Sequence, residues 1–81
     1  MTKPLRIGYY AILREQRGLS EEALQSDATT AEELYAALKA EHGFSLEANQ
    51  LKVVINDAFK SWDTPLQAND NVVFIPPVAG G

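Results

Sequence analysis

The chain finishes on Gly80 and Gly81, and the carboxylate of this pair is the most unusual chemical group in the sequence. A carboxylate is ionised at neutral pH and is a poor electrophile until an anhydride, such as an acyl-adenylate, activates it. An amine that attacked the activated carbonyl would form an isopeptide bond, whereas sulfide would form a thiocarboxylate. Because glycine has no Cβ, another protein could enclose both residues closely.

The residues before this pair predict a projecting tail. Two prolines and two small residues lie there: Pro76, Pro77, Val78 and Ala79. Since proline has no N–H to donate, a sheet ladder cannot continue through this stretch. In an extended conformation the tail would reach about 20 Å. We therefore predict a folded domain over residues 1–76 and a flexible Gly-Gly tail over residues 77–81.

The remaining sequence offers little catalytic apparatus. The chain has no cysteine and one histidine, His42, so a zinc site, a thiol nucleophile and Ser-His-Asp catalysis are all disfavoured. Its glycines match neither phosphate-binding loop pattern, and no nucleotide site is predicted. We expect no bound metal or cofactor, and ATP for activating Gly81 would be used by a partner enzyme.

Composition narrows the class of protein further. The chain has 81 residues, which predicts one domain, and its net charge of −4 argues against nucleic acid as a main partner. The sequence has no apolar run long enough for a spanning helix, and its N-terminus has no secretory pattern. We expect no membrane association and a cytoplasmic location.

The first half of the chain predicts a hairpin followed by a helix. Alternation favours a strand with four inward residues: Leu5, Ile7, Tyr9 and Ala11. A short helical turn over residues 12–18 and a weak second strand over residues 20–26 follow. A capping box at Thr30 and Glu33 begins a helix that ends before Gly43. The apolar stripe of this helix consists of Ala31, Leu34, Tyr35 and Leu38.

The second half predicts two or three more strands. Leu51, Val53 and Ile55 alternate inward in one strand, and Ala58 with Phe59 would form a short return after a turn. The final strand runs over residues 72–75. The order of elements predicts an α+β fold, a mixed sheet of four to five strands with one main helix packed on one face. By analogy with ubiquitin-like β-grasp domains, we expect the two terminal strands to lie side by side at the centre.

Several segments resemble the molybdopterin synthase small subunit family, in the same order along the chain. They are Tyr10-Ala11-Ile12-Leu13-Arg14-Glu15, Ile55-Asn56-Asp57, Asp63-x-Pro65-Leu66, Asp70-x-Val72 and Pro76-Pro77-Val78-Ala79-Gly80-Gly81. The last segment is the most specific, whereas residues 19–49 match mainly in pattern.

The resemblance implies a sulfur carrier with a β-grasp fold. In such a protein a partner enzyme adenylates Gly81, and a sulfur donor system converts it to a thiocarboxylate. The tail then enters the large subunit of molybdopterin synthase, where Gly80 lets it fit and the sulfur adds to cyclic pyranopterin monophosphate. The resemblance implies that the catalytic side chains belong to the large subunit and that the complex is a heterotetramer.

Strand parity predicts a partner surface independently of the family. If Val72 and Phe74 face the helix, then Val73 and Ile75 point out of the opposite face of the sheet, as does Val54. Apolar side chains grouped on one sheet face favour an interface. The predicted partner-binding residues are these three together with the tail that the resemblance implies enters the large subunit: Val54, Val73, Ile75, Pro76, Pro77, Val78 and Ala79.

Three other functions stay open at this point. A thiamine-pathway sulfur carrier shares the Gly-Gly chemistry, although it is usually shorter and lacks the Pro-Pro-Val run. A ubiquitin-like protein modifier would use the same tail to form isopeptide bonds. A pure interaction module would carry an inert tail.

Overall fold

The computed structural model describes residues 1–77 of the 81-residue chain. Within this range the elements are β1 (Lys3–Tyr9), α1 (Ile12–Arg17), β2 (Glu21–Ser26), α2 (Ala31–His42), a 3-10 turn (Ala48–Gln50), β3 (Lys52–Ile55), β4 (Ala58–Lys60) and β5 (Asn71–Ile75). The strands form one sheet in the order β2-β1-β5-β3-β4. The predicted α+β fold, a mixed sheet with one main helix, is confirmed.

The first and last strands pair at the centre of the sheet, as predicted. β1 runs parallel to β5, and Tyr9 lies opposite Phe74. β2 flanks β1 and β3 flanks β5, both antiparallel, and β4 returns beside β3. β5 is therefore held by a ladder on each side. No helix in residues 1–77 has the length and apolar character needed to cross a membrane.

The core lies between the sheet and α2. The helix buries all four residues of its predicted stripe, and the strands bury their alternate side chains against it. The strand side chains in this layer are Leu5, Ile7, Tyr9, Val53, Ile55, Val72 and Phe74, each at most 4% exposed. The period of two in the strands and the 3.6-residue period in the helix therefore predicted the core correctly.

The prediction for Ala11 is wrong. β1 ends at Tyr9, and Ala11 is exposed with φ 53° and ψ −125°. The Leu13 N–H donates to the Tyr10 carbonyl at 3.1 Å, which closes a tight turn with Ala11 at its first central position. Those angles are typical of a type II′ turn, where glycine is preferred. The turn redirects the chain from β1 into α1, so the alternation stops two residues early.

The N-terminus of α2 is capped in a modified form of the predicted box. The Glu33 N–H donates to Thr30 Oγ1 at 3.2 Å, as a capping box requires. The Glu33 carboxylate, however, accepts from the N–H and the hydroxyl of Thr29, one residue earlier than the box predicts. These two bonds stabilise the charged form and lower the pKa of Glu33. At the other end Gly43, at φ 71°, terminates the helix as predicted.

Aromatic side chains fasten β5 beneath α2. The Phe74 ring meets Tyr35 edge-on at 5.1 Å and stacks on Trp62 at 5.9 Å between centroids. The Tyr35 hydroxyl donates to the Leu46 carbonyl at 2.8 Å, and burial raises the pKa of Tyr35 to about 12. Because Phe74 is in β5, this cluster fixes the strand that leads into the tail.

Candidate functional site

The tail begins at the end of the central strand. Ile75, the last residue of β5, lies opposite Lys52 of β3. Pro76 is buried and Pro77 is exposed, so the chain emerges from the body at the second proline. The predicted reactive pair Gly80 and Gly81, and the predicted contact residues Val78 and Ala79, lie outside the described residues.

An apolar row crosses the sheet on the face opposite α2, which we call the open face. Gly8, Val73, Val54 and Phe59 are consecutive neighbours in register across β1, β5, β3 and β4. Val54 and Val73 are partly buried, whereas Phe59 is 71% exposed. The structure thus brings together the predicted residues Val54 and Val73 on the open face, with Ile75 two positions further along β5.

Phe59 is a surface residue that the sequence reasoning missed. It was assigned to the return of a hairpin without a role, although the signal was present. A two-residue turn at Asn56-Asp57 places Phe59 opposite Val54, which was already predicted to point outward. Pairing by register would therefore have added Phe59 to the candidate surface.

Gly8 shapes the same row by its lack of a side chain. A Cβ built at Gly8 would lie 3.1 Å from Val73 Cγ2, which is tighter than an ordinary van der Waals contact. Val73 therefore occupies space that a larger residue in β1 would take. The result is an apolar surface centred on β5, the strand that leads into the tail.

A shallow apolar pocket lies at the base of the tail. Its volume is about 460 Å³, and its lining is Tyr10, Ala11, Ile12, Leu46, Ile75, Pro76 and Pro77. Tyr10 is 55% exposed and Ile12 is 39% exposed. The pocket joins three segments that are far apart in sequence: the turn after β1, the loop at Leu46 and the end of β5. Ile75 belongs both to this pocket and to the open face.

Tyr10 and Ile12 are also missed residues. Both belong to the segment that carries the family resemblance, but the sequence reasoning used them only as part of a motif. Leu13 from the same segment is fully buried and serves the core. The exposed members of the motif thus line the same pocket as the two prolines.

A charged network secures the strand that supports the site. The hydroxyl of the buried Tyr9 donates to Glu22 at 2.7 Å, and Arg17 donates to both Glu22 oxygens at 2.8 and 2.7 Å. The bonds from Arg17 lower the pKa of Glu22, and burial raises the pKa of Tyr9. This network ties β1, α1 and β2 together. It therefore fixes the turn between β1 and α1, which lines the pocket at the base of the tail.

His42 has the structural position that the sequence predicted. It is the last residue of α2, its side chain is 17% exposed, and its ring lies 5.7 Å from that of Phe44. Within residues 1–77, no group of three or more His, Cys, Asp or Glu side chains is placed to hold a metal ion.

This arrangement defines a class of protein: a ubiquitin-like β-grasp domain whose central last strand leads into a Gly-Gly tail. The chain belongs to the ThiS family, whose model matches residues 7–81. It is 31% identical over 80 residues to a protein of Escherichia coli named molybdopterin synthase sulfur carrier subunit, covering 95% of this chain and 99% of the relative. The resemblance to the molybdopterin synthase small subunit is thereby confirmed.

Solved structures support the same fold. The HVO 2177 protein of Haloferax volcanii superposes with a TM-score of 0.81 at 27% identity, covering 99% of this chain and 88% of that one. A chain in the complex of subunits 1 and 2 of molybdopterin-converting factor from Helicobacter pylori gives a TM-score of 0.64 at 24% identity, covering 96% of this chain and 99% of that one. At that identity the second likeness speaks for the fold alone.

Proposed function

We propose that this protein is the sulfur carrier of molybdenum cofactor biosynthesis. An activating enzyme joins the Gly81 carboxylate to AMP and releases pyrophosphate from ATP. Sulfur at the sulfide level then displaces AMP and leaves a thiocarboxylate on Gly81. The thiocarboxylate sulfur forms a C–S bond with a side-chain carbon of cyclic pyranopterin monophosphate as a C–O bond at that carbon breaks. Water then hydrolyses the resulting thioester, which returns the Gly81 carboxylate and leaves the sulfur on the pterin.

The relationship to a named sulfur carrier subunit, together with the Pro-Pro-Val-Ala-Gly-Gly sequence after β5, is the observation that carries this proposal. The domain has a polar network behind the turn at the base of the tail. Its hydroxyl, carboxylate and guanidinium network at Tyr9, Glu22 and Arg17 is internally satisfied. The domain is thus suited to present the tail, and the partner enzymes supply the chemistry.

The open face and the tail-base pocket are the surfaces we assign to the large subunit. Val73, Val54 and Phe59 form a continuous apolar row, and Ile75 connects that row to the pocket. Apolar side chains grouped beside the exit of the tail would fix the domain while the tail enters a channel. The Escherichia coli relative is named as a subunit of molybdopterin synthase, which supports an assembly with a further subunit.

Intact mass spectrometry tests the carrier chemistry directly. The protein is incubated with its cognate activating enzyme, ATP and a sulfur source, and the expected product is heavier by the exchange of one oxygen for one sulfur. The change should require ATP and should disappear when Gly81 is deleted. An unchanged mass with an activating enzyme that turns over ATP in the presence of the protein would contradict the proposal.

A thiamine-pathway sulfur carrier is the second candidate, because the matching family model is that of the ThiS family. Both candidates predict the same thiocarboxylate, so a second assay must separate them. The thiocarboxylated protein is mixed with the cognate molybdopterin synthase large subunit and cyclic pyranopterin monophosphate, and dithiolene formation is measured. Sulfur transfer to the pterin supports the molybdenum pathway, whereas its absence with an active large subunit supports the thiamine pathway. Isopeptide-linked Gly81 on cellular lysines would instead indicate a protein modifier.

A further inference from the structure

The outer edge of β2 is a second surface with the geometry to bind another chain. β2 pairs with β1 on one side, and it has no strand on the other side in residues 1–77. The Tyr9 N–H donates to the Ser20 carbonyl at 2.8 Å. This bond sets the phase of the β1–β2 ladder, that is, which alternate residues of β2 direct their backbone groups toward β1. In an antiparallel pair with this phase, the N–H and C=O groups of Glu21, Ala23 and Gln25 point away from β1.

This edge has little of the usual protection against pairing. Edge strands are commonly blunted by shortness, charged side chains (lysine above all), proline or a bulge. β4, at the other edge of the sheet, has three residues and ends at Lys60. β2 has six residues, contains neither lysine nor proline, and pairs with β1 in unbroken register. Its two charged residues, Glu21 and Glu22, lie at its first two positions and are paired with Arg6 and Arg17. Its outward backbone groups therefore form a regular template of roughly 17 Å.

A groove lies beside this template, between β2 and α2. Its volume is about 480 Å³, and an apolar stretch lines its middle: Leu24, Leu34, Ala37 and Leu38. Asp27 lies at the end where β2 stops, and Glu22 and Glu41 lie at the end where α2 stops. A strand added to β2 would direct alternate side chains into this groove.

The charges of the groove decide what kind of segment fits. Glu22 is neutralised by its two bonds from Arg17, whereas Asp27 and Glu41 line the groove as additional carboxylates. His42 lies next to Glu41, with 3.9 Å between its Nε2 and the carboxylate. The groove thus combines an apolar middle with an acidic residue at each end. That distribution complements apolar side chains flanked by lysine or arginine.

We propose that β2 and this groove bind an extended segment of a partner protein by strand addition. The segment carries two apolar residues at alternate positions, with a basic residue on either side of them. A second copy of this chain fits less well, because each copy has a net charge of −4 and would bring further acidic residues to an acidic edge. The groove faces α2 and the tail site uses the open face, so the two surfaces are available to different partners at the same time.

A synthetic peptide provides the probe: acetyl-Lys-Thr-Val-Thr-Val-Thr-Lys-amide. Its lysines are spaced by about 20 Å in a strand, comparable with the roughly 17 Å length of β2. It is titrated into isotope-labelled full-length protein, and amide shifts are followed by NMR. We expect saturable shifts at Glu21, Ala23 and Gln25, and slower hydrogen exchange at those outward amides in the complex. The same peptide with glutamate in place of both lysines should bind at least several-fold more weakly.

Two alanines of α2 give a matched pair of variants. Ala37 and Ala36 are both exposed, but only Ala37 lines the groove. Ala37→Arg places bulk and positive charge in the groove and should weaken the probe by about tenfold or more, whereas Ala36→Arg should leave its affinity unchanged. Both variants keep a strong helix former in α2, so both should remain folded.

The outcomes separate the alternatives. Saturable binding that protects the three outward amides and is lost only in Ala37→Arg supports strand addition in the groove. Binding without protection of those amides would mean charge attraction alone and would overturn the proposal. The absence of shifts at millimolar probe would overturn it as well. None of these results depends on Gly81, so failure here leaves the proposed sulfur chemistry untouched.

Discussion

Phe59 provides the sharpest test of the open face as a partner surface. It is 71% exposed and lies at the β4 end of the apolar row. A phenylalanine side chain has a surface of about 200 Å², so roughly 140 Å² of it is exposed for a partner to cover. An alanine at this position would still offer the partner about a third of that area. The loss of about 100 Å² at 25 cal/mol per Å² is about 2.5 kcal/mol. Phe59→Ala should therefore raise the Kd for the cognate large subunit by about 60-fold if the ring is fully covered.

The control for this variant comes from the same strand. Lys60 follows Phe59 in β4 and its side chain points to the other face of the sheet, so Lys60→Ala should change the Kd by less than about threefold. Both substitutions are at exposed positions and should change the free energy of unfolding by only about 0.5 kcal/mol. Isothermal titration calorimetry measures the two Kd values. If Phe59→Ala binds as the unaltered protein does while remaining folded, the open face is not the contact surface that we assign.

Three further predictions concern the supports of the site. Ile75→Lys should weaken large-subunit binding by about tenfold or more, measured by titration, because a charge would replace an apolar side chain shared by the open face and the pocket; an unchanged Kd would contradict that role. Ala11→Gly should raise the free energy of unfolding by about 1 kcal/mol in denaturant titration, because glycine relieves the positive φ; destabilisation would show that the turn is unstrained. The pKa of Glu22 is lowered in the folded protein, so as pH falls the unfolded chain takes up a proton on Glu22 before the folded protein does. The stabilisation that the ionised carboxylate gives near neutral pH is therefore lost as pH falls below about 4.3, the ordinary pKa of glutamate. Glu22→Gln should lower stability at neutral pH and flatten this acid decline, and a parallel pH profile would rule out the mechanism.

Most of the fold follows from local sequence signals. Thr30 and Gly43 bracket α2, and alternation identifies the inward residues of β1, β3 and β5. These signals are strong because each rests on one periodicity or one cap. The central pairing of β1 with β5 rested on analogy, since parity within a strand does not determine its neighbour.

The missed parts of the site depend on long-range geometry. Ala11 was expected to point inward, and only the turn closed by Leu13 and Tyr10 shows why it does not. The pocket at the base of the tail requires Ile12 to meet Pro76 across more than half of the chain. Phe59 was accessible to sequence reasoning through hairpin register. The roles of Gly80 and Gly81 were inferred from chemistry and resemblance, and they stay predictions.

The central position of β5 has a consequence for synthesis on the ribosome. Without β5 the sheet separates into the β1–β2 hairpin and the β3–β4 hairpin, with no ladder between them. Because β1 and β5 are the first and last strands, their pairing closes almost the whole chain into one loop and must be a late event in folding. A chain truncated before residue 71 therefore lacks both the strand that completes the core and the tail that follows it. β5 thus completes the domain and leads into the end that we propose is reactive, so a chain cut before this strand has lost both.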